Sequence, residues 1–589
     1  MPELERSYIR RWLEPLDHLR AWISARPRLL RLGKPIVLGA LLLAPSVWML
    51  SVIPPLWRDL DAYIQVTEAP GILTIVHFGP LYCFGARIPL YIGYIIECLR
   101  AGKSFPSPGF FINPTLNDSG VFLLLLSQHV ALFCSAFYFI ISASRLFWVR
   151  LVLAALWASN PLFYTFAHCV GSETLSMILL LLVGAVGLRI VQRSRNVGWK
   201  RWGLLGVLLW LSILTRHVNA VLAGLLPLTF LLVSGYRLIA IPLSRSQLLR
   251  RWQRLRMQEE LKNAAVAVAI GISTIALANL SLRGLCRSAH VPYYSTFGIT
   301  VATRLDFLAR LPPEKRNQLL DEIARNSPFV DVKKAVPLLR EAFSKQKDNG
   351  DTNPALLSKI DAEKVIPLYR EAYPHGSTGA DDSIAFLEKA TSVFPQLSLL
   401  VVLNRTAKAF LFPPRKVYLD AVAEDLRRSQ ATTIPNVVNH LFLTTTLYFF
   451  FPAQRMAGYA PLLTYRHTSP NRIVGILEKH RYFHLWKSVN HAVFLGLWAA
   501  NLALLAVCAR IRKKRVAAVA SYAVALTLGG LLMMLVNCVL IAFLPRFALP
   551  MWELTILSAA ALLGLTLDLP NRSKAKICGC GTGENRRAH

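Results

Sequence analysis

Apolar residues in this chain arrive in blocks, without the short alternation or sparse helical stripe of a soluble fold. The blocks cover residues 36–53, 120–142, 146–166, 173–190, 202–216, 218–235, 264–284, 489–509, 516–541 and 547–567. Most are about 18 to 22 residues long, which matches a hydrocarbon core about 30 Å thick at a helical rise of about 1.5 Å per residue. Lipid offers the backbone no water to bond, so each block is predicted to be a helix. The pattern predicts an all-α polytopic membrane protein with about ten transmembrane helices.

The polar segments between the blocks give an independent check. Basic residues gather in every second loop: Arg145 and Arg150, then Arg189, Arg193, Arg195, Lys200 and Arg201, then residues 237–262, then the run Arg510 to Arg515, then the tail after residue 568. Loops rich in Lys and Arg stay on the cytoplasmic side. Ten spans with both termini cytoplasmic satisfy all of them, and a bacterial inner membrane is the expected location. Residues 54–119, the turns 168–173 and 216–219, the long segment 286–486 and the turn 545–546 then share the other side.

Five segments follow. Residues 1–35 form a basic leader with Trp12, Leu13, Leu16, Leu19, Trp22 and Ile23 at helical spacing, suited to an anionic leaflet, and the block behind it reads as a retained anchor. Residues 36–285 form a transmembrane module that includes the first outer loop, 54–119. Residues 286–486, between spans seven and eight, are too long for a plain loop and are predicted to be a mostly helical extracytoplasmic domain, with helices from Pro313 toward Arg325 and near 333–346, 354–372, 382–394 and 415–428. The apolar run 437–451 is short for a crossing and is expected to be buried or interfacial. Residues 487–567 return to the membrane, and 568–589 form a cytoplasmic tail.

Composition changes the picture little. Of 589 residues 54% are hydrophobic. The formal charge of +33 would suit nucleic acid, but its confinement to alternate loops is what topology requires, so no nucleic-acid partner is expected. Cys83 and Cys98 are read as free buried thiols in preference to a bridge, and the tail pair Cys578 and Cys580 lacks the second pair a zinc site needs. No Walker loop and no GxGxxG after a strand is present, so a soluble nucleotide is not expected.

Chemistry concentrates on the non-cytoplasmic side. After the first block comes Pro54-Pro55-Leu56-Trp57-Arg58-Asp59-Leu60-Asp61-Ala62-Tyr63. A carboxylate near a low-dielectric boundary suits a proton acceptor, and Asp59 or Asp61 could take the proton of a sugar hydroxyl. Either could equally cap a helix or pair with Arg58. His77 could bind phosphate or ligate metal, or serve as a hydrogen-bonded structural residue, and Gly79-Pro80 favours a short re-entering helix ahead of Tyr82. His168 and Glu173 precede and open a span. Glu173 suits the positive end of that helix, or one wall of a polar site. Arg216, His217 and Arg546 sit at the side where the positive-inside rule disfavours arginine, so each arginine needs an anion: a carboxylate, or the phosphate of a ligand.

Taken in order, these pieces resemble the GT-C superfamily of integral membrane glycosyltransferases, in its group that includes protein O-mannosyltransferases, aminoarabinose transferases and RgtA-like enzymes. The matching pieces are Asp59, Asp61 and Tyr63 after the first span, Pro80-Leu81-Tyr82 in the same loop, Glu173 opening the fourth span, Arg216 in the mid-chain turn, the large outer segment after span seven, and Arg546-Phe547 with Pro550 entering a late span. The departures are Asp-Leu-Asp for the usual Asp-Glu pair, Arg216-His217 for Arg-Pro and Arg546-Phe547 for Arg-Tyr. The resemblance implies an inverting transfer from a polyprenyl-phosphate sugar donor to a lipid, glycan or protein acceptor. A first-loop aspartate would be general base, and Tyr63, His77, Tyr82, His168, Glu173, Arg216, His217 and Arg546 would bind substrate. Some members of the group use a divalent metal. No confident metal ligand set is present here, although two aspartates could hold one. A transporter or flippase of lipid-linked glycans, or a non-catalytic component of polysaccharide export, are the competing readings.

Overall fold

The structure is a computed structural model, and it describes residues 27–53, 55–57, 60–104, 108–111, 116–193, 197–240, 247–290, 305–309, 311–328, 330–344, 415–431, 501–503, 514–540 and 545–578, with a few isolated positions between them. It is a helical bundle. In chain order α1 is Pro27–Val52, α2 Leu60–Thr67, α3 Pro80–Gly85, α4 Arg87–Arg100, α5 Asp118–Ala143, α6 Phe147–Ser159, α7 Pro161–Ala167, α8 Ser172–Gln192, α9 Trp199–Thr215, α10 Leu225–Ala240 and α11 Gln247–Ser288. Then come α12 Asp306–Ala309, α13 Pro313–Asn326, α14 Val330–Ser344, α15 Lys416–Ala431, α16 Lys514–Leu540 and α17 Leu549–Cys578. Two dipeptides, β1 Leu56–Trp57 and β2 Cys169–Val170, pair in parallel.

Seven helical segments among the described residues are long and apolar enough to cross a membrane: Gly33–Val52, Asp118–Ala143, Ser172–Gln192, His217–Tyr236, Met257–Ser288, Val516–Leu540 and Pro545–Leu567. Two of the ten expected blocks, 146–166 and 202–216, are not among these seven, yet the chain passes from one end of the bundle to the other through each: from Ser142, beside Gln192, back to the start of α8, and from the end of α8 back to Arg216, beside Glu173. The block 146–166 is not one helix. Pro161 lacks an N–H and disfavours helical geometry in the residue before it. Asn160 is accordingly extended, at φ −88° and ψ 112°, and its side chain caps α7 by accepting from the Leu162 amide. That leaves α6 with 13 residues, about 20 Å of helix against a core of about 30 Å. The block 202–216 is the 17-residue α9, closed by an extended Arg216. The block 489–509 lies almost wholly outside the described residues, as do the helices expected at 354–372 and 382–394 and the apolar run 437–451.

The bundle centres on α8, in which 83% of the apolar window is buried. Small residues on α8 allow that enclosure. A Cβ on Gly187 would lie 2.4 Å from the Tyr522 hydroxyl, and one on Gly184 would meet Leu557 at 2.9 Å. Tyr522, itself fully buried, donates its hydroxyl to the Gly184 carbonyl at 3.0 Å. Along α17, Leu557 meets Gly184 of α8 and Gly564 meets Ala143 at the end of α5. So α5, α8 and α17 run in the same direction, and their first turns share one end of the bundle.

The basic residues predicted to share a side do meet at the other end. Arg189 donates to Ser142 at 2.8 Å and stacks on Tyr138, Gln192 donates to the Ser142 carbonyl, Arg150 donates to the Ser144 carbonyl, and Lys34 sits over Phe147. In the 286–486 segment the described residues are helical as expected. Helices α13 and α14 lie where Pro313 and the 333–346 run predict them, and α15 docks on the end of α16 through Tyr418, whose hydroxyl donates to the Val539 carbonyl at 2.8 Å. Cys83 and Cys98 are buried thiols outside any disulfide.

The enclosure of α8 predicts a measurable asymmetry between glycines. Gly187→Ala forces its methyl into a buried ring and should cost about 1–3 kcal/mol. Gly203→Ala on α9, where a Cβ meets nothing within 4 Å, should be neutral or stabilising by up to about 1 kcal/mol. Thermal unfolding of the two variants in detergent measures the difference.

Candidate functional site

The site is built around a gap in backbone hydrogen bonding. After α1 the chain leaves the bundle through Pro54-Pro55, and neither proline carries an N–H. The chain on either side is held by one residue. His168 Nε2 donates to the Ile53 carbonyl at 2.7 Å, and the His168 carbonyl accepts from the Leu56 amide at 3.0 Å. From there Leu56 and Trp57 pair with Cys169 and Val170. A carbonyl can only accept, so His168 carries its proton on Nε2, and its Nδ1 accepts from His129 Nε2 at 3.1 Å. His129 Nδ1 then accepts from the Ser46 hydroxyl at 3.0 Å. Both rings are buried, and each nitrogen has a partner. The chain Ser46–His129–His168–Ile53 ties α1 and α5 to the segment before α8, and both imidazoles are neutral in it.

The start of α8 is reached by side chains from two other elements, one of them backed by a third. Gln65 of α2 accepts from the Ser172 amide at 2.9 Å. The Tyr82 hydroxyl of α3 accepts from the Gly171 amide at 2.8 Å and donates to Gln128 of α5 at 3.1 Å. Gln128 in turn donates to the carbonyls of Ala167 and Cys169. Burial pushes the Tyr82 phenol well above its usual range, so it serves as a neutral donor. Helix termini leave such amides without helical partners, and here the segment between α1 and α4 supplies them.

Glu173, in that first turn and almost fully buried, pairs with Arg216 at 3.1 Å. The same turn of chain is clamped to the first loop. Gly79 has φ +90°, and a Cβ there would lie 2.5 Å from the Leu214 carbonyl and 2.6 Å from that of Thr215. His217 Nε2 donates to the Val76 carbonyl at 2.6 Å. Ile75, Val76, Ile213, Leu214, Ala278 and Leu282 close the contact with an apolar cluster. Gly79-Pro80 does start a short helix, with Pro80 in its first turn.

The predicted residues thus divide. Tyr82, His168, Glu173, Arg216 and His217 meet around the first turn of α8. Tyr63 sits on α2, tilted against Trp57 at 6.4 Å, and burial raises its phenol pKa first, with Glu68 adding to the rise. His77 packs edge-on to Phe78 at 4.7 Å, next to the residue His217 holds. Arg546 is buried at the start of α17, stacked 5.4 Å over Phe547, at the same end of the bundle. Asp61 stands one helical turn before Gln65 on α2. Its side chain and all of Asp59 lie outside the described residues. Tyr82 and His168, expected to face substrate, are turned inward, where their polar atoms bond to protein.

Some groups escaped the sequence reading. His129 and Gln128 lie inside an apolar block, where only their polarity marked them. Arg87 is buried, with its guanidinium held by the carbonyls of Cys83, Phe111 and Glu68. Glu553 lies within the last apolar span, fully buried, with one carboxylate oxygen bonded to nothing. A charge-bearing group inside an apolar block was its signal, because such a group is costly to keep there. Among the described residues no group of three or more His, Cys, Asp or Glu is placed to hold a metal, and no step below is assigned to one.

No protein-family model matches the chain, and no curated protein is similar to it in sequence. Among solved structures, the archaeal oligosaccharyltransferase AglB from Archaeoglobus fulgidus, in complex with an inhibitory peptide and a dolichol-phosphate, aligns over 95% of this chain at 13% identity with a TM-score of 0.38. The chain spans 53% of that protein's length. A likeness at that level supports no functional statement.

His168→Ala should leave the Ile53 carbonyl and the His129 Nε2–H without partners, at about 1–3 kcal/mol for each buried orphan. The expected result is a lower unfolding temperature together with faster hydrogen exchange at the Leu56 and Trp57 amides. A second outcome concerns pH. Burial raises the Glu68 carboxyl above its usual value of 4.5, and Arg87 only partly offsets this. A raised folded value means that the stabilising contribution is complete below about pH 4.5 and is lost as pH rises through the folded pKa. Glu68→Gln should remove that decline from a plot of unfolding temperature against pH.

Proposed function

We propose that this chain is a membrane glycosyltransferase that moves a sugar from a polyprenyl-phosphate-linked donor to an acceptor on the extracytoplasmic face of a bacterial inner membrane. The observation that carries this reading is the buried Glu173–Arg216 pair, 3.1 Å apart, at the same end of the bundle as Asp-bearing α2. Gln65, one turn beyond Asp61, bonds the amide next to Glu173. A base and an anion-binding group are the two parts that such a transfer needs.

In this mechanism Asp59 or Asp61 takes the proton of the acceptor hydroxyl. The acceptor oxygen bonds to the anomeric carbon as the bond from that carbon to the phosphate oxygen breaks. The electron pair leaves with the polyprenyl phosphate, and a single displacement inverts the anomeric centre. Negative charge grows on the departing phosphate, where Arg216 and Arg546 stabilise it. Glu173 fixes the Arg216 guanidinium, so that little reorganisation is needed when the charge develops. The acceptor is a lipid, a glycan or a protein, and membrane lipids bring the donor laterally to the site. Both termini lie in the cytoplasm on this reading.

A second reading, a transporter of lipid-linked glycans, is favoured by Glu553, because intramembrane carboxylates mark transport paths. The two readings separate in proteoliposomes supplied with polyprenyl-phosphate sugars and a mixed acceptor pool, with products read by mass spectrometry. For the transferase, Asp59→Asn and Asp61→Asn keep the wild-type unfolding temperature, and one of them lowers turnover by about 100- to 10,000-fold. Absence of any transfer product from the unmutated chain sinks the transferase, and full turnover in both variants sinks the aspartate base. Loss of lipid-sugar movement in Glu553→Gln alone would then establish the transporter.

A further inference from the structure

Three membrane spans meet at the end of the bundle opposite the candidate site. Gly33–Val52 begins there, and Asp118–Ala143 and Ser172–Gln192 finish there. Contacts fix the level: Gln192 donates to the Ser142 carbonyl at 3.1 Å, and Lys34 lies 5.6 Å over the Phe147 ring at the start of α6. Lys34, Arg145, Arg150, Arg189 and Arg193 therefore gather at one boundary between water and lipid. The helices that carry them supply no counter-charge at this end, because residues 18–58, 119–172 and 174–258 contain no Asp or Glu. On α17, Asp568 lies one turn past Gly564, which touches Ala143. One carboxylate leaves most of five cations unbalanced.

Arg189 is the built part of this cluster. Topology asks only for cations on one side, and exposed ones such as Arg145 and Arg193 satisfy it. Arg189 is instead half-buried. Its Nε donates to the Ser142 hydroxyl at 2.8 Å, and that hydroxyl donates on to the Tyr138 carbonyl at 2.6 Å. Its guanidinium carbon stands 4.1 Å from the centre of the Tyr138 ring. Protein thus fixes one face and one nitrogen of the group, while its two terminal nitrogens meet no acceptor among the described residues. A guanidinium held in this way presents a preorganised pair of donors, the fork that a phosphate accepts. Its depth selects the kind of phosphate. Tyr138 and Ser142 are in the last turns of a span, and Trp148, just past Phe147, is 47% exposed. Aromatic rings mixed with basic groups mark the head-group layer of a bilayer.

We infer that this end of the bundle binds the head group of an anionic phospholipid, with its phosphate on the terminal nitrogens of Arg189. Lys34 and Arg193 add attraction for the net negative charge. The lipid belongs to the leaflet on the side away from the candidate site. The inference holds whether or not the chain is a transferase.

The test uses the full chain in a neutral detergent, with phosphatidylglycerol or phosphatidylcholine of the same acyl chains added. Native mass spectrometry reads the lipid retained, and thermal unfolding reads the stabilisation. Phosphatidylglycerol should form a one-to-one complex and raise the unfolding temperature more than phosphatidylcholine does. Arg189→Gln should weaken that complex by about tenfold or more, and Lys34→Gln by about fivefold. Lys200→Gln removes the same charge from an exposed position on α9 and should leave the complex unchanged. Equal retention of the two lipids overturns the inference, as does a loss in Lys200→Gln as large as that in Arg189→Gln. Displacement of the lipid by excess inorganic phosphate also overturns it, because the occupant is then a soluble anion. Each variant is compared with itself without lipid, and should Arg189→Gln fail to fold, Lys34→Gln decides the matter.

Discussion

Two consecutive prolines cannot donate a single backbone hydrogen bond, and every feature of the candidate site follows from how the chain is held across that gap. His168 bonds the residue before the prolines with its ring and the residue after them with its carbonyl. A side chain inside the bundle thereby sets the direction in which the loop bearing Asp59 and Asp61 departs. The staple is only as firm as its anchor. That anchor is His129, an imidazole inside an apolar helix, oriented by Ser46 of α1. Burying two neutral imidazoles costs free energy unless their nitrogens find partners, and here each nitrogen does. Such fully satisfied networks in an apolar setting hold one geometry and resist alternatives.

The second constraint is the first turn of α8. A helix start leaves amides to be satisfied, and on the face of a membrane protein they are usually met by water or a cap. Here they are met by Gln65 and Tyr82, which belong to the same loop that the histidines orient. The loop is thus pinned at both ends of its first half, to β2 and to the start of α8. Gly79 completes the closure: only a glycine tolerates φ +90° while its Cα presses on the Leu214 and Thr215 carbonyls. Through that contact the Arg216 turn is fixed relative to the loop, so Glu173, Arg216 and α2 form one unit although they lie far apart in the chain.

The class of fold was legible because block length is a direct readout of bilayer thickness. That basic loops far apart in the chain share one end was legible too, and Arg189, Arg150 and Lys34 do gather there. What hydropathy could not see is where an apolar block stops being one helix. Asn160-Pro161 interrupts a block that reads as continuous, because leucines and aromatic residues on either side hide a break made by backbone chemistry. At the site, the sequence identified Glu173 and Arg216 and offered a carboxylate as one partner for the arginine, which is the pairing found. It misjudged the direction in which Tyr82 and His168 face. A lone polar residue at a membrane edge reads the same whether it points to ligand or to backbone. The difference lies in partners such as Gln128 and His129, which are contributed by a helix about 40 residues away in sequence.

The contrast between Glu173 and Glu553 shows how such a bundle separates holding from acting. Both are buried carboxylates near the same end of the bundle. Glu173 is neutralised by a guanidinium at 3.1 Å and stands where the dipole of α8 favours negative charge, so burial costs it little. A pair of that kind is preformed and does not need a ligand in order to fold. Arg216 keeps about a fifth of its surface open. An arginine buried completely, like Arg87 among its three carbonyls, has no edge left to offer. Of these two arginines beside the first loop, only Arg216 reaches the surface while its carboxylate partner stays buried.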